Sequence, residues 1–170
     1  MDECGTHTSM TRRYAWAPKG ERAYGRVPRN RGKNTTLVAS MSLEGMGQAM
    51  AVEGSTTARV FEAYVEQFLA PALRPGQVVI LDNLGAHKGD RVRELIETRG
   101  CELIFLPSYS PDFSPIEEAF SKVKMLLKKA ACRTREALVE EIGRALEAVT
   151  SQDARGYFAH CGYRVEAQCS

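Results

Sequence analysis

"QVVILDN", residues 77–83, is a continuous apolar run closed by an acid and an amide. A run this short with no polar alternation reads as a strand buried on both faces, the kind found at the centre of a parallel sheet. The same pattern recurs at "CELIFLP" (101–107), and "GDRVRELIETRG" (89–100) between them has helical spacing and a closing glycine. Strand, helix and strand at these lengths form a crossover unit with parallel strands. Upstream, "TTARVFEAYVEQFLAPAL" (56–73) places Val60, Phe61, Tyr64, Val65, Phe68 and Leu69 on one helical face, with Ser55 or Thr56 as its cap. "NTTLVASMSLEG" (34–45) and "GQAMAVEG" (47–54) read as a hairpin. Downstream, helices are expected from Pro115 to about Ala131 and from Thr134 to about Val149, and the aromatic tail "YFAHCGY" (157–163) is expected to dock on the body. Together these elements give an α/β fold with a mixed sheet and flanking helices.

The bulk properties restrict the functional classes. The chain has 170 residues, 44% hydrophobic and 26% charged, enough for one domain with a proper core. Net charge is only +2, but it is unevenly distributed. Arg12, Arg13, Lys19, Arg22, Arg26, Arg29, Arg31 and Lys33 face a single acid, Glu21, over residues 12–33, and the stretch 121–135 carries six basic residues and no acid. Such clusters on a near-neutral chain suggest local contacts with an anion. The five cysteines form no CxxC pair and are odd in number, which argues against a disulfide framework and for a reducing compartment. A zinc site on His160 and Cys161 lacks a second ligand pair. With no apolar stretch of membrane-spanning length and no signal peptide, a cytoplasmic protein without membrane contact is expected.

Ligands of open α/β sheets sit beyond the carboxyl ends of the strands. Asp82 stands there, and the next strand ends at Leu106, in the loop leading to "SPIEE" (114–118). Locally, "SPIE" also fits a helix start, with Ser114 as N-cap, Pro115 as the first helical residue and Glu117 closing a capping box. "MDECG" adds Asp2 and Glu3. Carboxylates converging at one sheet edge offer hard oxygen ligands suited to Mg²⁺. Two ions about 3.5–4 Å apart can activate an attacking oxygen and stabilise a leaving one, which is phosphodiester chemistry. Asn83 and His87, in "DNLGAHK", are supporting candidates. Trp16 is expected to pack against the sheet.

The stretches "DECGTHT", "WAPKGERAYGRVP", "QVVILDNLGAHK", "LPSYSPDFSPIEEAFSKVK" and "YFAHCGY" resemble the catalytic domain of bacterial insertion-sequence transposases of the mariner superfamily, the DDE type with an RNase H-like fold. The resemblance implies a metal-binding catalytic triad of Asp2, Asp82 and Glu117; the 34 residues between Asp82 and Glu117 match that family's spacing. It further implies two Mg²⁺ ions, with Mn²⁺ able to substitute, cleavage and strand transfer at element ends, and double-stranded DNA as both end and target. The implied partners are a homodimer on DNA and a separately encoded or frameshift-fused helix-turn-helix part, at the bacterial nucleoid. On this reading residues 1–33 are a basic arm, 34–163 the catalytic domain and 164–170 a tail. The family's first central strand is expected to be missing ahead of Asp2. Ser108 and Ser114 replace an expected proline and asparagine. The alternative is a catalytically inactive remnant that binds DNA or a full-length transposase; a junction resolvase fits the spacing and the proline-rich loop less well.

Helix geometry separates the two glutamates. At about 100° per residue, Ile116, Phe120, Val123 and Leu127 form one stripe, with Glu117 at its border and Glu118 opposite, toward solvent. Glu117 shares its face with Lys124 and Lys128, which are candidates for DNA phosphates.

Overall fold

The structure, a computed structural model, describes residues 1–30, 32–108 and 110–164. Arg31 and the end of the tail lie outside the described residues.

The elements follow in the order β1 (Asp2–Thr6), β2 (Thr35–Ser42), β3 (Gly45–Glu53), α1 (Ala58–Tyr64), a π turn (Val65–Leu69), α2 (Ala70–Ala72), β4 (Val78–Leu81), α3 (Asp90–Glu97), β5 (Glu102–Phe105), α4 (Pro115–Ala130), α5 (Arg135–Glu147) and α6 (Ser151–His160). Short 3₁₀ turns at Gly85–His87 and Pro111–Phe113 precede α3 and α4. β1, β2 and β3 form an antiparallel sheet, with Asp2 opposite Ala39 and Thr35 opposite Glu53. β4 and β5 pair in parallel, Val78 opposite Glu102, as the crossover reading requires. The Met1 nitrogen, donating to the Ile80 carbonyl at 2.9 Å, links the two sheets.

The side-chain period of a strand explains the layering. On β2, Leu37 and Ala39 enter a core with Ile116, Phe120, Val123, Leu127, Leu138 and Ile142 of α4 and α5. Val38, between them, enters the opposite core with Phe61, Tyr64, Val79, Leu81, Val92 and Ile96. The sheet therefore lies between two helical layers. The expected stripe on α4 is buried in full. Thr134 caps α5, its hydroxyl accepting from Ala137 N at 3.2 Å.

Four expectations need correction. First, the stretch read as an arm opens with a strand: Asp2, Cys4 and Thr6 point inward while Gly5 is exposed, so Asp2 heads a paired strand. Second, Thr57 rather than Ser55 or Thr56 caps α1, accepting from Val60 N at 3.3 Å. Third, Trp16 is 102% exposed and touches no sheet, because residues 11–29 run over the surface without regular structure. Fourth, Ser114 is the N-cap of α4 but makes no side-chain cap bond, so the capping box with Glu117 does not form. Instead a preceding 3₁₀ turn holds the chain, with Ser114 N donating to Pro111 O at 2.8 Å and Glu117 N to Ser114 O at 3.1 Å.

Candidate active site

Three segments distant in sequence deliver carboxylates to one place. β1 begins with Asp2, β4 ends just before Asp82, and the first turn of α4 carries Glu117. Asp2, Glu3, Asp82 and Glu117 line a cleft of about 480 Å³ together with Asn83, Ser108 and Ser114. Asp2 is only 8% exposed, and its Oδ1 accepts from Glu3 N at 2.7 Å. Burial pushes its carboxyl up to about 6, and the neighbouring Glu117 and Asp82 charges push it the same way. The cleft therefore concentrates negative charge with too little positive charge to balance it.

His87 organises one side. The 3₁₀ turn after Asp82 folds its ring back so that Nδ1 pairs with Asp82 Oδ1, while Nε2 lies 3.3 Å from Glu3 Oε1. The ring is 1% exposed and stacks on Phe61 at 3.9 Å between centroids. Burial disfavours its charge, but the Asp82 and Glu3 carboxylates outweigh burial and push it up to about 9. Asn83 Nδ2 donates to Ser108 Oγ at 2.8 Å, tying the loop after β4 to the loop that leads into α4. A proline at position 108 could not accept that bond.

The arrangement suits a hard cation chemically, since its donors are carboxylate oxygens whose repulsion a cation would relieve. Among the described residues, no three His, Cys, Asp or Glu side chains are gathered tightly enough to grip one ion as they stand, and Asp82 is engaged with His87.

Glu118 departs from its expected position. Its side chain is 34% exposed and pairs with His160 Nδ1 of α6. The wheel placed it opposite the core of its own helix, but α6 packs there, with Lys122 Nζ 2.6 Å from Asp153 Oδ2 along the same seam. Glu117 is the more open of the two and faces the cleft.

The basic candidates divide. Arg12, Arg13, Lys128 and Lys129 line a broad cleft of about 1100 Å³ that also borders Tyr14, Trp16 and Ser121. Ser121 also borders a second cleft, lined by Asp112, Glu117, Glu118 and His160, so the basic cleft adjoins the acidic side of α4 at Ser121. Lys124 is half-buried; Lys19, Arg22, Arg26 and Arg29 are exposed along the arm. Lys33 is taken up by Glu53 at 2.6 Å. Sequence reading missed Arg133, whose guanidinium donates to Thr8 O at 3.0 Å and Met10 O at 3.2 Å and so anchors the base of the arm. It carried no motif signal. His160 Nδ1 pairs with Glu118.

The DDE superfamily endonuclease family matches residues 1–139. No curated protein matched the sequence. Among solved structures, the Mos1 transposase paired-end complex with left transposon end aligns with TM-score 0.74 and 20% identity over 94% of this chain and 49% of that one. The Mos1 mariner paired end complex with Mn gives 0.69 and 19% over 97% and 55%. The Mos1 transposase catalytic domain with Raltegravir and Mg gives 0.57 and 20% over 79% of each. These likenesses show the RNase H-like fold. The chain spans about half the length of the full Mos1 chains it matches.

Proposed function

This chain belongs to the DDE superfamily endonucleases, and from that premise we propose that it is the catalytic part of a transposase. The observation that carries the reading is the convergence of Asp2, Asp82 and Glu117 on one cleft.

These three carboxylates would hold Mg²⁺, with Mn²⁺ able to replace it. Bound there, two such ions supply Lewis-acid charge to the attacking and leaving oxygens of a phosphodiester. The protein's own share is positional. Asp82 must turn from His87 toward the cleft, leaving His87 held by Glu3 and by its stack on Phe61. The Asn83–Ser108 bond keeps the two ligand-bearing loops in register. Arg12, Arg13, Lys124, Lys128 and the exposed bases of the arm bind backbone phosphates and set the position of the duplex without reading its sequence. Water adds to phosphorus at an element end and releases a 3′-hydroxyl; that hydroxyl then attacks target DNA and displaces a second 3′-oxygen. No covalent link to the protein is required. Recognition of the ends falls to a helix-turn-helix part, and two copies act together on DNA.

The test is cleavage of DNA bearing the ends of its own element, with Mn²⁺, by the parent chain supplied with the upstream part and by Glu117→Gln. Cleavage by the parent and a loss of at least about a hundredfold in the variant are expected. Equal cleavage by both would sink the triad. Salt-dependent DNA binding with no metal-dependent cleavage by either would mark a remnant that only binds DNA.

A further inference from the structure

The tail "YFAHCGY" (157–163) has no part in the reading above, yet it lies over the turn from which Glu117 springs. α6 ends in a left-handed glycine: Gly162 has φ +85°, its N–H donates to Ala159 O at 3.1 Å, and Tyr163 N–H donates to Phe158 O at 3.0 Å. That bond pair is the Schellman ending, which glycine adopts with least strain. It reverses the chain and brings Tyr163 back across the start of α4, where its hydroxyl donates to the Phe113 carbonyl at 2.8 Å. The Tyr163 ring meets Phe158 edge-on at 5.5 Å, and both line a small cavity with Phe113, Pro115, Ile116 and Asp82. His160 pairs with Glu118, the neighbour of Glu117.

These contacts fall at the start of α4. Its Ser114 N-cap makes no side-chain bond, so the start rests on the backbone bonds Ser114 N–Pro111 O and Glu117 N–Ser114 O, and a turn without a side-chain cap frays more easily. Glu117 sits in that turn. We propose that α6 braces it: Tyr163 and His160 are positioning residues that fix the 111–118 turn, and through it the direction of Glu117 toward Asp2 and Asp82. The inference rests on the triad reading above.

The test is Mn²⁺ binding to the whole purified chain by titration calorimetry, with thermal melting in parallel. Tyr163→Phe removes one hydroxyl and keeps the ring; His160→Ala removes the Glu118 partner; His160→Gln keeps a donor there. Lys122→Met breaks the other α4–α6 tie, 2.6 Å to Asp153, and serves as the control for loosened packing. The double variant Tyr163→Phe/His160→Ala is expected to bind Mn²⁺ about tenfold more weakly, the low end for groups that orient a ligand. Tyr163→Phe/His160→Gln should recover part of that affinity. Lys122→Met should melt earlier and bind Mn²⁺ as the parent does. Parental affinity in the double variant, or an equal loss in Lys122→Met, overturns the brace. Glu117→Gln separates the two ideas. If it binds weakly while the double variant binds normally, only the brace falls; if it binds normally, the triad falls and the brace with it.

Discussion

His87 stands between Asp82 and Glu3, one ring nitrogen on each carboxylate, with its face on Phe61 at 3.9 Å. Removing the ring therefore does two things at once. It opens a cavity beside Phe61 and leaves two carboxylates facing each other with no donor between them. His87→Ala should cost about 3 kcal/mol in urea denaturation, the sum of an emptied ring site and two orphaned acceptors. His87→Gln should cost less, because an amide can still donate. A change below about 1 kcal/mol for His87→Ala would mean that the network does not support the site.

Asp153 gives a pH signature away from the carboxylate cleft. Lys122 at 2.6 Å, and the Thr150 hydroxyl and N–H at 2.7 and 2.8 Å, hold its carboxyl down at about 2, below the ordinary 3.8. A depressed carboxylate stabilises the fold above its unfolded value and ceases to do so as pH falls through its folded one. The melting temperature of Asp153→Asn should therefore lie below the parent's by a constant few degrees from pH 7 to pH 5. The gap should close between about pH 4 and pH 2. A gap that widens on acidification would contradict the assignment.

Legibility in the sequence followed where apolar side chains went. β4 and β5 are buried runs of Val, Ile, Leu and Phe, and the α4 stripe is a clean helical period, so both were readable along with their parallel pairing. β1 was not, because the residues it turns inward are Asp2, Cys4 and Thr6, and an alternation without large apolar groups looks like a polar arm. α6 was missed as a helix for a related reason. It fully buries Ala154 alone, and a Thr150–Asp153 capping box starts it. Of the triad candidates, Asp82 was legible from its strand end, while Asp2 and the choice of the full set came from the family resemblance and its spacing. Their supports were not legible, since His87–Glu3, Asn83–Ser108 and His160–Glu118 join residues 84, 25 and 42 positions apart. The separation of the two glutamates failed for Glu118 because a helical wheel knows only its own helix.

Phe120 is where the sheet and α4 share a core, 1% exposed among Leu37, Val123, Leu138 and Ile142. Phe120→Ala should cost about 3–5 kcal/mol, which approaches the whole stability of an ordinary domain. The expected result is loss of the cooperative urea transition or a midpoint shifted far toward zero. Phe120→Leu, which keeps most of the volume, should retain a sharp transition. Near-parental stability of the alanine variant would show that α4 is held by its ties to α6 rather than by its buried face.

Arg12, Arg13, Lys128 and Lys129 all line the broad cleft, so a duplex lying there is expected to meet all four. Each phosphate that a removed side chain no longer neutralises lowers the slope of log affinity against log salt by about 0.9. Replacing Arg12 and Arg13 with alanine should reduce that slope by up to about 2, and adding Lys128→Ala and Lys129→Ala by up to about 4, for unrelated duplexes as much as for element ends. Lys33→Ala serves as the control, since its ammonium is already paired with Glu53 at 2.6 Å, and should leave the slope unchanged. Fluorescence anisotropy across a salt series measures all of these. If the quadruple variant keeps the parental slope, the duplex lies on another face of the molecule, and the meeting of the two clefts at Ser121 does not mark the path of the DNA.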